Sequence, residues 1–189
     1  LARSYTGFGY RDTLESPVSK FDLPHAGMVA KGWGHWMQMR VGKTPTALNE
    51  FMLAKRDLNV RFGIVVSPNK YKWTWSTEIP KFGVDVPHYV HDVDKKKLLA
   101  AVKDFIKKRE GIVVVNYEAL IQPEVVEALM LLLSAGSSMV IADESVKVKN
   151  PTGTFFKQNY KMSKTATLFR TLTGKPAPQS PLDYFSQLQ

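Results

Sequence analysis

Gly42-Lys43-Thr44 stands between two hydrophobic segments near the start of the chain, and Pro45 follows it. A strand, a glycine-lysine-threonine turn and a helix together form a cradle for phosphate. In such a cradle, backbone N–H groups face the anion, the lysine reaches the β- and γ-phosphates, and the threonine hydroxyl binds Mg²⁺. The pattern predicts a strand at 34–39 and a helix at 47–55, with Pro45 at the first helical position. The full phosphate-binding pattern has a glycine where this chain has Met37.

A second stretch, Met139-Val140-Ile141-Ala142, leads directly into Asp143 and Glu144. A buried strand that ends in adjacent carboxylates can anchor Mg²⁺ through the first and polarise a water molecule through the second. Taken alone, such a pair is also typical of acids that cap a helix. Because Lys43 precedes it, the pair indicates a site that binds and hydrolyses a nucleoside triphosphate. The catalytic candidates are Lys43, Asp143 and Glu144, and the metal ligands would be Thr44 and Asp143.

Helical and strand patterns alternate along the chain, which predicts an α/β fold with a mainly parallel sheet and helices on both of its faces. We interpret residues 1–20 as an irregular lead-in and 21–189 as one domain. The further predicted strands are 62–66, 87–90, 111–115, 138–142 and 167–172. The further predicted helices are 73–82, 95–109, 124–133, 154–161 and 182–188.

Polar turns follow five of the predicted strands. They are Gly42-Lys43-Thr44, Ser67-Pro68, Asn116-Tyr117, Asp143-Glu144 and Thr173-Gly174. In open parallel sheets, ligands bind beyond the carboxyl ends of the strands. We therefore expect all five turns to share one working edge.

Composition favours a polyanionic partner. The chain has 26 Lys and Arg against 17 Asp and Glu, a formal net charge of +9. Basic proteins gain affinity for nucleic acids by releasing counterions from phosphates. The absence of cysteine excludes disulfides and thiolate zinc sites, and the four histidines lack metal-ligand spacing. No apolar stretch is long enough to span a bilayer, so we expect no membrane association and an intracellular protein.

Cations and aromatic rings alternate at Lys70, Lys72, Trp73 and Trp75. The lysines suit phosphate contacts and the rings could stack on bases. The alternative, which we favour for both tryptophans, is that the rings belong to the core beneath the next helix.

The order of these motifs resembles the first half of a superfamily-2 helicase of the Swi/Snf-like branch. The resemblance covers roughly residues 21–189. Its motifs are Met39-Arg40-Val41-Gly42-Lys43-Thr44; Ile64-Val65-Val66-Ser67-Pro68 with Trp75 and Glu78; Val115-Asn116-Tyr117-Glu118; Asp143-Glu144-Ser145 with Lys149-Asn150-Pro151; and Leu172-Thr173-Gly174-Lys175-Pro176 with Ser180-Pro181-Leu182-Asp183.

The resemblance implies a RecA-like P-loop domain that binds ATP and Mg²⁺ against a second RecA-like domain and moves on DNA, with duplex DNA favoured. The residues implied to bind ATP are Pro24, His25, Arg40, Val41, Gly42, Lys43 and Thr44. Those implied to lie towards nucleic acid are Ser67, Pro68, Lys70, Asn116, Tyr117, Lys149 and Asn150. Thr173 and Gly174 would couple the ATP state to nucleic-acid contact.

Three residues depart from the family pattern. Ala26 replaces the glutamine that usually follows His25, Arg40 replaces a common glycine, and Lys175 stands where threonine is frequent. A second RecA-like domain, with its arginine finger, is also missing from these residues. Losing such a finger costs on the order of 10³–10⁵ in rate, so we expect weak ATP hydrolysis from this chain in isolation.

The sequence thus predicts the N-terminal motor domain of a DNA-dependent ATPase, a helicase or translocase. One alternative is a catalytically silent, nucleotide-gated DNA-binding module that keeps the fold. A third possibility, a P-loop kinase, requires a substrate-phosphate lid that the sequence does not display.

Overall fold

The computed structural model describes residues 31–37, 42–145 and 153–174, which form a parallel six-stranded sheet covered by helices. The strands are β1 (Gly32–Trp36), β2 (Phe62–Ser67), β3 (His88–Val90), β4 (Gly111–Asn116), β5 (Ser138–Asp143) and β6 (Leu168–Thr173). The helices are α1 (Lys43–Asp57), α2 (Lys72–Lys81), α3 (Lys95–Lys108), α4 (Pro123–Ser134) and α5 (Thr154–Thr165), with a 3₁₀ helix at Tyr117–Ile121.

The strand order across the sheet is β1-β6-β5-β2-β4-β3, and every pair is parallel. β2 lies near the middle between β5 and β4, and all six of its residues are buried. A strand covered on both faces needs apolar side chains at consecutive positions, which explains its near-continuous hydrophobic sequence. The α/β class and the parallel sheet predicted from the sequence are confirmed.

Two hydrophobic layers enclose the sheet because successive strand residues point to opposite faces. Val113 and Val115 pack in one layer with residues of α3, α4 and α5. Ile112 and Val114 pack in the other layer with residues of α1 and α2. Helices therefore cover both faces, and the carboxyl ends of the strands stay at one edge between the layers.

Three predicted boundaries were wrong. β1 occupies Gly32–Trp36 rather than 34–39, because its extent follows its pairing with β6, in which Trp36 is the partner of Thr173. α1 begins at Lys43, so Pro45 is its third residue and not its first; proline is tolerated there because the first four helical N–H groups lack intrahelical partners. α5 continues to Thr165, beyond the predicted end at 161, since Met162 packs into the core.

The lead-in at 1–20 and the predicted helix at 182–188 lie outside the described residues. Within the described part of the chain, no helix combines the length and apolar character needed to cross a membrane.

Candidate ATP-binding site

The turn that begins α1 has the backbone geometry of an anion cradle. Gly42 has φ = 94°, in the left-handed region that residues with a Cβ rarely adopt. Its carbonyl accepts hydrogen bonds from the Thr46 N–H at 3.1 Å and the Thr46 hydroxyl at 2.8 Å. Lys43 follows at the first helical position, where its Nζ donates to the Met37 carbonyl at 3.4 Å. The N–H groups of the first helical turn and the Lys43 ammonium are therefore available at the start of α1, and phosphate binding uses this combination.

Asp143, the last residue of β5, is a buried carboxylate with two side-chain donors on a single oxygen. The Ser67 hydroxyl donates to Oδ2 at 3.0 Å from the end of β2, and the Trp75 indole N–H donates to the same atom at 3.1 Å from α2. The backbone N–H of Glu144 also donates to this carboxylate. The orientation of Asp143 is consequently set by three parts of the chain.

Burial raises the pKa values of both acids at this site. For Asp143, burial outweighs the hydrogen bonds from Trp75, Ser67 and the Glu144 N–H and the charge of Lys43, all of which lower its pKa. For Glu144, burial and the Asp143 charge raise the pKa, and Lys43 again opposes the shift. A buried carboxylate whose desolvation outweighs its hydrogen bonds favours an incoming cation, and a carboxyl with a raised pKa is suited to accept a proton.

Glu144 adopts a left-handed backbone conformation, with φ = 49°. Such a conformation costs about 1–2 kcal/mol for a residue with a Cβ, and strain of this kind often occurs at functional sites. The turn is braced by Tyr117, whose hydroxyl donates to the Asp143 carbonyl at 2.7 Å. Burial, followed by the Asp143 charge, raises the pKa of Tyr117 well above its ordinary value, so the phenol remains a donor.

The available donor set fits Mg²⁺. Thr44 offers a hydroxyl in the first turn of α1, and Asp143 offers a carboxylate. Both are hard oxygen ligands of the kind Mg²⁺ prefers, alongside substrate phosphates and water. When bound, the ion would neutralise phosphate charge at this edge of the sheet.

The end of β6 is hydrogen-bonded to Met37, which lies between β1 and the phosphate turn Gly42-Lys43-Thr44. Thr173 is the last residue of β6 and is buried, and its carbonyl accepts a hydrogen bond from the Met37 N–H at 3.2 Å. Gly174 follows and is half-buried. Asp143 is the partner of Leu172 in the β5–β6 register. The two predicted coupling residues therefore lie between the phosphate turn and the acidic pair.

Sequence reasoning missed a fully buried charged cluster beneath the site. Arg170 of β6 donates from Nε to Glu50 of α1, and His35 Nε2 of β1 lies 2.6 Å from the other Glu50 oxygen. His35 thus pairs with an acid 15 positions away in the chain, a contact that its sequence neighbourhood does not show. Burial, partly offset by Glu50, lowers the pKa of Arg170. This cluster fixes α1 to the two strands that flank the phosphate turn.

The structure describes several of the residues predicted to contact nucleic acid. Ser67 and Tyr117 are fully buried, and both hydroxyl groups donate to Asp143, so these side chains face the acidic pair. Lys70 is exposed, while Pro68 and Asn116 are half-buried near the same edge.

The two tryptophans lie in different environments. Trp75 is 2% exposed and belongs to the core, as predicted, whereas Trp73 is 53% exposed, contrary to prediction. Lys72 is buried, and its Nζ donates to Asp92 at 3.1 Å. The predicted ATP contacts Pro24, His25, Arg40 and Val41, and the predicted nucleic-acid contacts Lys149 and Asn150, lie outside the described residues.

The parallel sheet and its strand order give this chain a RecA-like fold, with the glycine-lysine turn after β1 and the acidic pair at the end of β5. The Sulfolobus solfataricus SWI2/SNF2 ATPase core in complex with dsDNA is similar to this chain, with a TM-score of 0.69 and 21% identity over 89% of this chain and 33% of the other. The same ATPase core domain in a second structure gives a TM-score of 0.66 and 16% identity over 100% of this chain and 38% of the other.

A nuclease-deletion mutant of the Type ISP restriction-modification enzyme LlaGI, in complex with a DNA substrate mimic, is also similar. It gives a TM-score of 0.61 and 14% identity over 86% of this chain and 18% of the other. The chain spans about a third of the Sulfolobus chains that it matches. No family model and no curated protein matches the sequence.

Proposed function

We propose that this chain is the first RecA-like motor domain, residues 21–189, of a DNA-dependent ATPase of the Swi/Snf-like type. The observation that carries the proposal is that Lys43, Asp143 and Glu144 lie at one edge of the sheet, where the charge of the lysine acts on both carboxyls. The likeness to the SWI2/SNF2 ATPase core supports it.

In the proposed site, Lys43 and the N–H groups that follow Gly42 hold the phosphates of ATP. Thr44 and Asp143 hold Mg²⁺, and Glu144 orients and deprotonates the attacking water. Pro24, His25, Arg40 and Val41 would complete the nucleotide site. Thr173 and Gly174 would report the nucleotide state, a role favoured by their position between the two halves of the site.

DNA is the proposed partner, with duplex DNA favoured, and its contacts would lie at the same edge. Lys70 is exposed there, Asn116 ends β4, and Lys149 and Asn150 follow the acidic pair in sequence. Trp73 joins this set because its ring is exposed and it follows Lys70 by three positions in the chain. The +9 charge of the chain supports a polyanionic partner. A second RecA-like domain would supply an arginine finger.

The test is ATP turnover by the full natural protein with and without duplex DNA. We expect DNA to stimulate turnover strongly. Lys43→Ala should reduce turnover at least a hundredfold, since loss of one preorganised electrostatic contact to the transition state costs about 10²–10³. Lys81→Ala is the matched control, because it removes the same charge from an exposed position at the far end of α2.

A different result would favour the silent module. If the protein binds DNA with an affinity that is indifferent both to ATP and to Lys43→Ala, the motor function is wrong. Turnover that Lys43→Ala leaves unchanged would mean that hydrolysis occurs elsewhere or comes from a contaminant.

A further inference from the structure

Trp75 provides a direct connection between a helix and the acidic pair. Its indole N–H reaches the Asp143 carboxylate at 3.1 Å, and both residues are buried. Hydrogen bonds to ionised groups in a dry setting are short, directional and stronger than neutral ones. An indole N–H can only donate, so Trp75 always presents a donor to this oxygen.

The same helix also carries an exposed ring. Trp73 and Trp75 are two positions apart in the first turns of α2, which at 3.6 residues per turn places them about 200° apart around the helix axis. Trp73 faces solvent, with the Lys72 ammonium 5.4 Å from its ring centroid. One rigid helical turn thus holds a surface ring on one side and the Asp143 carboxylate on the other.

We propose that Trp75 is a positioning residue for Asp143, and that α2 carries the effect of nucleic-acid contact at its exposed first turn to this carboxylate. The inference rests on the proposed function for the identity of the partner. Its physical basis is that, within the described part of the chain, the side-chain donors to Asp143 Oδ2 come from β2 and α2. A displacement of α2 therefore changes the hydrogen bonding of a proposed magnesium ligand without touching the nucleotide.

Small displacements are sufficient for a large effect. A reacting group misplaced by about 1 Å can cost about 10²-fold in rate. Ser67 cannot transmit such a displacement, because the strand that carries it is paired on both sides and fixed in the sheet. The helix is the element that can respond to a surface contact.

The experiment is Trp75→Phe in the full natural protein, since phenylalanine keeps an aromatic ring in the core and removes only the donor. We expect the Mg²⁺-dependent gain in affinity for a fluorescent ATP analogue to fall about tenfold, while affinity without Mg²⁺ stays within about twofold of wild type. We also expect the ratio of DNA-stimulated to basal turnover to fall about tenfold, with DNA affinity retained.

Ile79→Val is the matched control. It removes one methyl group from a buried core residue of the same helix and leaves the hydrogen bonds to Asp143 in place. The ratio of stimulated to basal turnover should stay within about twofold of wild type in this variant. If Trp75→Phe does not fold, Ser67→Ala removes the other donor to the same oxygen and should lower the Mg²⁺-dependent affinity gain in the same direction.

Wild-type values for both measurements in a folded Trp75→Phe variant would overturn the inference. A ratio that falls equally in Trp75→Phe and Ile79→Val would overturn the role of the Trp75 donor, because a loss of packing in α2 would then account for the effect. Failure of the proposed function looks different: DNA would then not stimulate even the wild-type protein, and the Mg²⁺ measurement would still decide whether Trp75 positions Asp143.

Discussion

His91 is a fully buried imidazole at the end of β3, next to the ion pair of Lys72 and Asp92. Within the described residues, neither of its ring nitrogens has a hydrogen-bond partner. Burial is the main reason that its pKa is lowered, and the Lys72 charge adds to the shift, while Asp92 and Asp94 oppose it. The folded protein therefore holds this side chain neutral.

The lowered pKa has a predictable effect on stability. Below the unfolded pKa of about 6.5, the unfolded chain binds a proton at His91 that the folded chain does not bind. Stability therefore decreases as the pH decreases, until the pH is below the lower pKa of the folded state. We expect His91→Gln to flatten the fall in Tm between about pH 7 and pH 5.5, measured by thermal unfolding. His88→Gln, at a half-buried position in the same strand, is the control. Equal slopes for wild type and His91→Gln would refute this assignment.

At the scale of elements, the return from α3 to β4 is unusually close. Arg109 ends α3 in a left-handed conformation with φ = 62°, and β4 starts two residues later at Gly111. A Cβ on Gly111 would lie 2.1 Å from Cγ of the buried Phe105. The absence of a side chain at Gly111 is therefore what lets the helix pack against the start of the strand.

Gly111→Ala should consequently destabilise the fold by about 1–3 kcal/mol, the usual cost of overpacking a core. Gly32→Ala offers a control in another strand, because a Cβ there would meet nothing within 4 Å. We expect the control to stay within about 0.5 kcal/mol of wild type. Urea unfolding at one pH compares the two variants, and similar midpoints would contradict the steric argument.

Local patterns predicted the elements themselves well. Short apolar runs predicted all six strands to within a few residues, because a strand that is buried on both faces has apolar residues at consecutive positions. They could not give the order of strands: β6 lies between β1 and β5 although it is the last of them in sequence. The order of the strands depends on which surfaces pack together, and a short window of sequence does not contain that information.

At the scale of the whole molecule, α2 has a similar exposed aromatic site at each of its ends. α2 starts at the carboxyl edge with Trp73 and ends near the opposite edge at Lys81, which Phe82 follows. Both rings are exposed, and both have a lysine ammonium nearby, at 5.4 Å for Trp73 and 5.2 Å for Phe82. The two sites share their chemistry and differ in position.

This pair allows a test of the working edge. Trp73→Ala should weaken binding to DNA that carries a single-stranded tail by about 1–3 kcal/mol, the usual value for an aromatic ring that stacks on a base. Phe82→Ala should leave the affinity unchanged. Fluorescence anisotropy with labelled DNA measures both. Equal losses would show that exposed aromatic surface in general, and not this edge, governs binding.

The candidate site was only partly predictable at this scale. Sequence order indicated that Lys43, Asp143 and Glu144 belong together, because their motifs follow strands of one parallel sheet. It could not reveal the contact of Trp75 with Asp143, which joins residues 68 positions apart, or the pairing of Arg170 with Glu50 across 120 positions. Such contacts depend on the side-chain packing of distant segments.

The pairing of β1 with β6 also has a consequence for biosynthesis. Gly32 is the partner of Phe169, and among the described strands β1 pairs with no other. At the usual pace of translation, on the order of ten seconds separates the exit of these two strands from the ribosome. During that interval β2, β4 and β5 can associate, but the strand that supports the phosphate turn has no neighbour. If the proposed function holds, a nascent chain should therefore be unable to capture ATP until β6 has emerged.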